Sequence, residues 1–523
     1  MRGADLLVET LKTAGVRRIF SLSGNQIMPV YDACLGAGIE IVHTRHEGAA
    51  VFMAEAHAQV TGEVGVALVT AGAGLGNAIG PLLCARESDT PVLLLSGDSP
   101  VAQDGRGAFQ EMDQTALTAS LTKLSVRPVR ADDLGTATAR AMRVAASGRP
   151  GPVHLALPFD VLSAETDAPV PTTARDMMAL SPEAIGAIAA DMAAAARPVI
   201  LTGPVLSETR APGLARQLTD AFGASVLCME SPRGLRDPAL GGFGGMLGEA
   251  DTILCLGKRI DFTLGAGAAF AADARIHVVT PDEAERARAH LNLGGRLTTH
   301  VADPRDAVSS LVAAATARAP ADWQATLDAS IAARADAPGA DGLTPDLICA
   351  AVQRRIDAHP DTIVICDGGE FGQWAQAYTS APRRIVNGIS GAIGGGPCYG
   401  LATALAQPDA QVIVMVGDGT VGFHFAEFET AARAGAAFTV VIGNDRRWNA
   451  EHVIQMRDFG LDRGIGCDLS GARYDEAVAA LGGHGEHVTE AGDLDAALER
   501  AARSGKVACI NVAMHGLPAP AAP

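Results

Sequence analysis

Two carboxylates are placed where chemistry is expected. In QVIVMVGDGTVGFHFAEFETAARAGAAFTVVIGNDRRWNAE (411–451), one apolar run stops at Gly417-Asp418-Gly419. A second stops at Asn444-Asp445, with Asp445 27 residues after Asp418. Short apolar runs bounded by such residues read as buried parallel strands, with the helix between them as the crossover. Open parallel sheets bind ligands beyond the carboxyl ends of their strands, so both carboxylates face one crevice. The glycines let the backbone approach a bulky anion, and the helix that follows offers free amides to phosphate oxygens. A carboxylate there repels a bare diphosphate unless a divalent cation lies between them. Mg²⁺ takes few protein oxygens beside phosphate oxygens. Asp418 and Asp445 are then metal ligands, with a backbone carbonyl near Arg447 as a third. GDG alone reads first as an ordinary tight turn; the pair at adjacent strand ends favours the site.

Other chemistry-bearing residues stand where helical patterns begin or loops follow strands. Glu47, in HTRHEGAAVFMAEAHAQ, opens a helix that is otherwise small and apolar, beside Arg45 and His46. A helix-start carboxylate facing the dipole explains it without catalysis. Asn25 and Gln26 lie in SLSGNQIMP, where Asn25 also suits a helix cap. Phe109 and Gln110 lie in GAFQEMDQTALTASLTK. Ile393, in SGAIGGGPCYGLATALAQP, stands 25 residues before Asp418, with Gly391 two residues earlier. An isoleucine among glycines is ordinarily core. Past Asp445, the string RRWNAEHVIQMRD carries Trp448, Glu451 and His452, and an amphipathic surface helix would look the same.

Together these strings resemble the thiamine diphosphate enzymes of the acetolactate synthase and pyruvate decarboxylase superfamily, over residues 1 to about 515. HTRHEGAAVFMAEAHAQVTGEVGVALVTAGAGLGN is similar to one segment of that family almost position for position, and GDG with a downstream Asn-Asn is its metal motif. Here Asp445 replaces the second Asn, which keeps an oxygen ligand and adds a negative charge. The resemblance implies thiamine diphosphate and Mg²⁺, with Asp418 and Asp445 on the metal. It adds Gly417, Gly419, Thr420, Gly369 and Glu370 as cofactor contacts. It also implies that Glu47 bonds N1′ of the aminopyrimidine, from one subunit to the diphosphate site of another. Ile393 then bends the cofactor into a V, and the Gly391 carbonyl meets its 4′-amino group. Glu47, His46, Gln110 and Glu451 become catalytic candidates; Asn25, Gln26, Phe109, Trp448 and His452 become substrate contacts.

The implied reaction cleaves or forms a carbon–carbon bond next to a carbonyl, on a 2-oxo acid, acyloin or aldehyde, by a decarboxylase, carboligase or lyase. A homodimer is the minimum unit in the family, and a homotetramer is common. IDFTLGAG departs from the pattern of the FAD-carrying synthases, so FAD is not expected. The 2-hydroxyacyl-CoA lyases and oxalyl-CoA decarboxylases are closer there and form an alternative. The end of the chain soon after its last strand counts against an acyl-CoA substrate.

The elements that must position these residues are legible as three blocks. At 523 residues the chain exceeds one core, and 48% hydrophobic content with 59 Gly suits an α/β protein. Runs such as RIFSLSG, IEIVHTR, GVALVTAG, PVLLLSGD and GPVHLALP predict a first parallel-sheet domain over 1–165, pyrimidine-binding by resemblance. RPVILTGP, GASVLCMES, DTILCLGKR and RIHVVTPD predict a central, nucleotide-binding-like domain over 184–335. TIVICDGG, RRIVNGIS, QVIVMVGDG, FTVVIGND and ACINVAM predict a third, diphosphate-binding domain over 346–516. The expected fold is α/β, three consecutive doubly wound parallel-sheet domains, and a relation between the first and third is open. Segments 163–183 and 335–346 read as linkers, and the tail HGLPAPAAP as disordered.

Composition excludes some partners. A balance of 41 basic against 59 acidic residues, net −18, opposes nucleic acid and anionic membrane surfaces. No apolar run reaches membrane-spanning length. Nine scattered cysteines without metal-ligand spacing read as small hydrophobes, and their odd number without a signal-peptide pattern points to a reducing cytoplasm. One rival is a dinucleotide-dependent oxidoreductase, from Gly72-x-Gly74 after a strand and Asp98 ending the next. It leaves Glu47, Ile393 and the aspartate pair unexplained. Another is a non-catalytic cofactor-binding subunit, whose signature would be loss of the glutamate that stands here as Glu47.

Overall fold

The computed structural model describes residues 1–316, 320–334, 342–387 and 389–520. Three sheets carry the chain, and every strand pairing within them is parallel. The first contains β1 (Arg18–Ser21), β2 (Glu40–His43), β3 (Gly65–Val69), β4 (Val92–Asp98), β5 (Ser125–Val126) and β6 (Val153–Pro158), in the order β2-β1-β3-β4-β6-β5. The second contains β7 (Pro198–Thr202), β8 (Val226–Cys228), β9 (Thr252–Leu256), β10 (Arg275–Val279) and β11 (Leu297–His300), ordered β11-β10-β9-β7-β8. The third contains β12 (Ile363–Cys366), β13 (Arg383–Val386), β14 (Val412–Gly417), β15 (Thr439–Asn444), β16 (His484–Val488) and β17 (Ala508–Ala513), ordered β13-β12-β14-β15-β17-β16. The first and third sheets therefore share one strand order, which gives the similarity in sequence pattern a structural counterpart.

Central strands β3, β4, β6, β7 and β12 are buried along their whole length, as near-continuous Val/Leu/Ile runs require when helices cover both faces. The first and third domains share a core. Helix Glu47–Thr61 packs on helix Gly396–Ala406, and Ala49, Ala50, Met53 and Ala56 join Leu401, Ala402, Val414 and Phe438 in it. Both helices are rich in Ala and Gly, so their backbones can come close. A polar tie crosses this contact: the buried Glu55 carboxylate accepts from Tyr399 Oη (3.0 Å) and Ser88 Oγ (2.6 Å). The Tyr399 ring meets Phe52 edge-on at 5.5 Å. Among the described residues no helix is long and apolar enough to cross a membrane.

Between helices Phe159–Ser163 and Pro182–Ala194 the chain runs without helix or strand, as its composition predicts. It is nevertheless tied down, by Arg175 to Asp306 and by the Asp176 amide to Ser147 Oγ (2.8 Å). Most of the other linker, 335–346, lies outside the described residues. The end of the chain differs from the expected disorder. As far as residue 520 it packs along the third domain: Leu517 and Ala519 touch the core, and the Leu517 carbonyl accepts from Trp374 Nε1 (3.3 Å) and Asn449 Nδ2 (3.2 Å).

Candidate active site

The third sheet reverses its winding between β12 and β14, where doubly wound sheets open a ligand crevice. A cleft lies there, lined by Gly369, Glu370 and Phe371 after β12, Gly417 to Thr420 after β14, and Gly443, Asp445 and Arg447 to Glu451 at and after β15. Strands β14 and β15 are neighbours with Gly417 paired to Gly443, so Asp418 and Asp445 leave the same sheet end side by side. Asn444 turns away, its amide donating to Asn511 Oδ1 (3.0 Å). Arg446, at φ +61, makes the left-handed turn that follows. Asp445 accepts the Arg447 amide (3.1 Å), while the Arg447 guanidinium swings outward to Asp468 (2.9 Å) and only partly offsets the Asp445 charge.

Charge in this cleft is only partly compensated. Asp418 Oδ2 is buried and accepts no hydrogen bond among the described residues. Burial pushes the Asp418 carboxyl up to about 6 against the pull of nearby backbone amides. Burial, together with the Asp418 charge, pushes Asp445 up to about 7. Two desolvated carboxylates with an orphaned oxygen fit a divalent cation, which supplies the missing partner and favours the ionised forms. Among the described residues no cluster of three or more His, Cys, Asp or Glu is placed to hold a metal. The pair supplies two carboxylates, which would leave the other positions of such an ion to backbone oxygens and a bound anion.

Around the pair, a Cβ on Gly419 would lie 2.8 Å from the Trp448 ring, so only glycine lets the indole close that side. Thr420 Oγ1 donates to the Gly368 carbonyl (3.4 Å), and Gly369 adopts φ +82 beside it. Glu451 begins the helix Asn449–Phe459 at the cleft wall and is exposed; His452, one residue on, is not part of the lining. Burial raises the Glu370 carboxyl, which accepts the Ala519 amide. The chain end also crosses Asp445: a Cβ on Gly516 would lie 2.6 Å from Asp445 Oδ2. Ile393 rests on Gly368, and Gly391 adopts φ +68; neither lines the cleft. Their loop hangs on buried Asp367, which accepts the amides of Gly394 (3.1 Å) and Gly396 (2.7 Å).

A second cluster forms at the corresponding end of the first sheet. Glu47 is buried at the first turn of its helix and accepts from Asn77 Nδ2 (3.0 Å). His46 caps that helix, its Nδ1 accepting the Gly48 amide (3.0 Å), and its ring stands 5.6 Å from His424. Gln26 Nε2 donates to Gln110 Oε1 (2.7 Å), and Gln110 holds φ +61 against Gly72. Asn25 is exposed and does not cap its turn, where Gly24 is the cap residue. Phe109 is 74% exposed, which leaves its ring for a partner rather than for the core. Sequence reasoning singled out neither Asn77 nor Glu427, which accepts the Arg45 amide (3.0 Å) from the other domain. The proposed ribose-binding acid Asp98 is consumed by Arg127 (2.5 Å). None of the residues lining the cleft belongs to the first domain, so Glu47 does not line it.

Residues 1–117 match the model of the thiamine pyrophosphate enzyme N-terminal TPP binding domain, and residues 367–512 that of the C-terminal TPP binding domain. A probable acetolactate synthase of Mycobacterium bovis is 31% identical over 98% of this chain and 95% of its own length. 2-Hydroxyacyl-CoA lyase 2 of Danio rerio is 29% identical over 98% of this chain and 91% of its own length. The human protein of that name is 29% identical over 92% and 84%.

Proposed function

This chain belongs to the thiamine pyrophosphate enzyme family, and from that premise we propose a Mg²⁺-dependent enzyme that cleaves or forms the carbon–carbon bond beside a carbonyl. Its substrate is a 2-oxo acid, acyloin or aldehyde. The observation that carries the metal is the buried, unpartnered Asp418 Oδ2 with Asp445 beside it. Thiamine diphosphate, when bound, supplies a thiazolium ring able to accept the electron pair of the broken bond.

The chain's own residues do the rest. Asp418 and Asp445 would hold the metal, together with the Arg447 carbonyl, next to the Gly417–Thr420 turn. Trp448 lies against Gly419, where its ring would shield the metal side from water. Glu47 would hold a proton at the aminopyrimidine, and its bond from Asn77 fixes one carboxylate oxygen and leaves the other free for that task. Gln110, locked by Gln26, and His46 present hydrogen-bonding groups to the substrate. Glu451 and Glu370 stand on the cleft wall, where each can give or take a proton. Since the cleft lacks a first-domain residue, a second copy completes it, and a homodimer is the minimum active unit. Nine unpaired cysteines suit a reducing cytoplasm.

The test is incubation of purified protein with thiamine diphosphate and Mg²⁺ against 2-oxo acids, acyloins, aldehydes and a 2-hydroxyacyl-CoA, with analysis of CO₂ and carbonyl products. Product that vanishes when either cofactor is left out supports the reading. Bound cofactor with no product from any class, and no exchange of its C2 proton, overturns it.

A further inference from the structure

Two arginines between the first and second domains are paired with carboxylates. Arg149 pairs with Asp89, Asp282 and Glu285, Arg259 with Glu87 and Asp89, and Lys258 with Asp261, so among the described residues the cavity they line offers no free cation. Arg233 is different. Its guanidinium makes no hydrogen bond and no ion pair within 4.0 Å among the described residues. Burial disfavours its charge, opposed by the more distant carboxylates of Glu370 and Asp237. A half-buried guanidinium with five idle donors is costly unless an anion completes it.

Arg233 faces a cavity of about 910 Å³, lined also by Arg236, Leu235, Phe262 and the chain end at Ala519 and Pro520. Arg236 is exposed and likewise without an ion pair among the described residues. This cavity adjoins the catalytic cleft at Glu370, which lines that cleft, accepts the Ala519 amide and supports the Arg233 charge. We propose that this cavity binds an anionic group, carboxylate or phosphate, at the end of the substrate farthest from its reacting carbonyl. The inference rests on the reaction class proposed above and narrows its substrates to dianions or phosphorylated carbonyl compounds. Two arginines near an exposed Phe262 ring suit an anion on a short carbon chain: the fork takes the anion and the ring the methylenes.

Non-reacting probes separate this proposal from the reaction itself. Calorimetric titration of the thiamine diphosphate–Mg²⁺ holoenzyme compares glutarate with butyrate, and glycerol 3-phosphate with glycerol. At least one anion should bind about ten- to hundredfold tighter than its twin, the range of a charge-assisted hydrogen bond; which one does assigns carboxylate or phosphate. Arg233→Gln should erase that preference and Arg236→Gln, at an exposed site that tolerates change, should weaken it. No preference in the wild type, or a preference that survives in both variants, overturns the site. Because no probe turns over, failure of the product panel leaves this result standing, and the reverse holds too.

Discussion

Replacing Asp445 by Asn tests the electrostatics of the cleft. Raising that carboxyl from 3.8 to about 7 corresponds to about 4 kcal/mol of destabilisation in the metal-free folded protein above pH 7. The folded carboxyl keeps its proton between roughly pH 4 and 7 while the unfolded one has lost it, so stability falls as pH rises through that window. Asn carries no such cost. Metal-free Asp445→Asn should therefore melt above the wild type at pH 8, with about 4 kcal/mol as the ceiling, because the amide still has to find hydrogen bonds in the cleft. At pH 5.5 the gap should be narrower by about 2 kcal/mol, since wild-type Asp445 is then largely protonated. Saturating Mg²⁺ should raise the wild-type melting temperature more at pH 8 than at pH 5.5, because the metal competes with protons. Melting curves of both proteins at both pH values, with and without Mg²⁺, decide it. An Asn variant less stable at pH 8, or a gap indifferent to pH, would refute the reasoning.

Glu47→Gln should bind thiamine diphosphate as the wild type does but lose about a hundredfold or more in turnover; undiminished kcat removes Glu47 from the mechanism. Tyr399→Phe removes the hydroxyl that crosses the two domains and leaves the buried Glu55 short of one donor. It should cost about 1–3 kcal/mol, read as a lower melting temperature. Gly516→Leu puts a side chain where even a Cβ lies 2.6 Å from Asp445 Oδ2. The chain end should lift away, breaking the bond from Trp374 Nε1 to Leu517. Limited proteolysis should then cut near the C-terminus in the variant and spare the wild type.

What the sequence showed best was what hydrophobic burial dictates. Strands β3, β4, β14 and β15 are long apolar runs because helices cover both faces, and the glycines and acids that stop them mark the sheet's binding end. Ser125–Val126, Leu297–His300 and His484–Val488 went unnoticed because each is an edge strand, paired on one side only, and carries polar residues. The Pro/Ala-rich tail was misread for a related reason. Its order comes from Trp374, Asn449 and Glu370 side chains that meet its backbone, and local composition carries no trace of them. Asp418 and Asp445 were legible as a pair, since adjacent strands place them together. Asn77 and Glu427 were not, because their roles exist only once distant segments touch Glu47 and Arg45. The glycine at 516 lies 71 residues beyond the aspartate it covers, a pairing that no periodicity announces.

Equilibrium binding of thiamine diphosphate to the wild type and to Asp418→Ala, each with and without Mg²⁺, probes the cation-bridged diphosphate most directly. Tight binding should appear only in the wild type and only with Mg²⁺ present. Equal affinity in Asp418→Ala, or wild-type binding that ignores removal of the metal by a chelator, would contradict it.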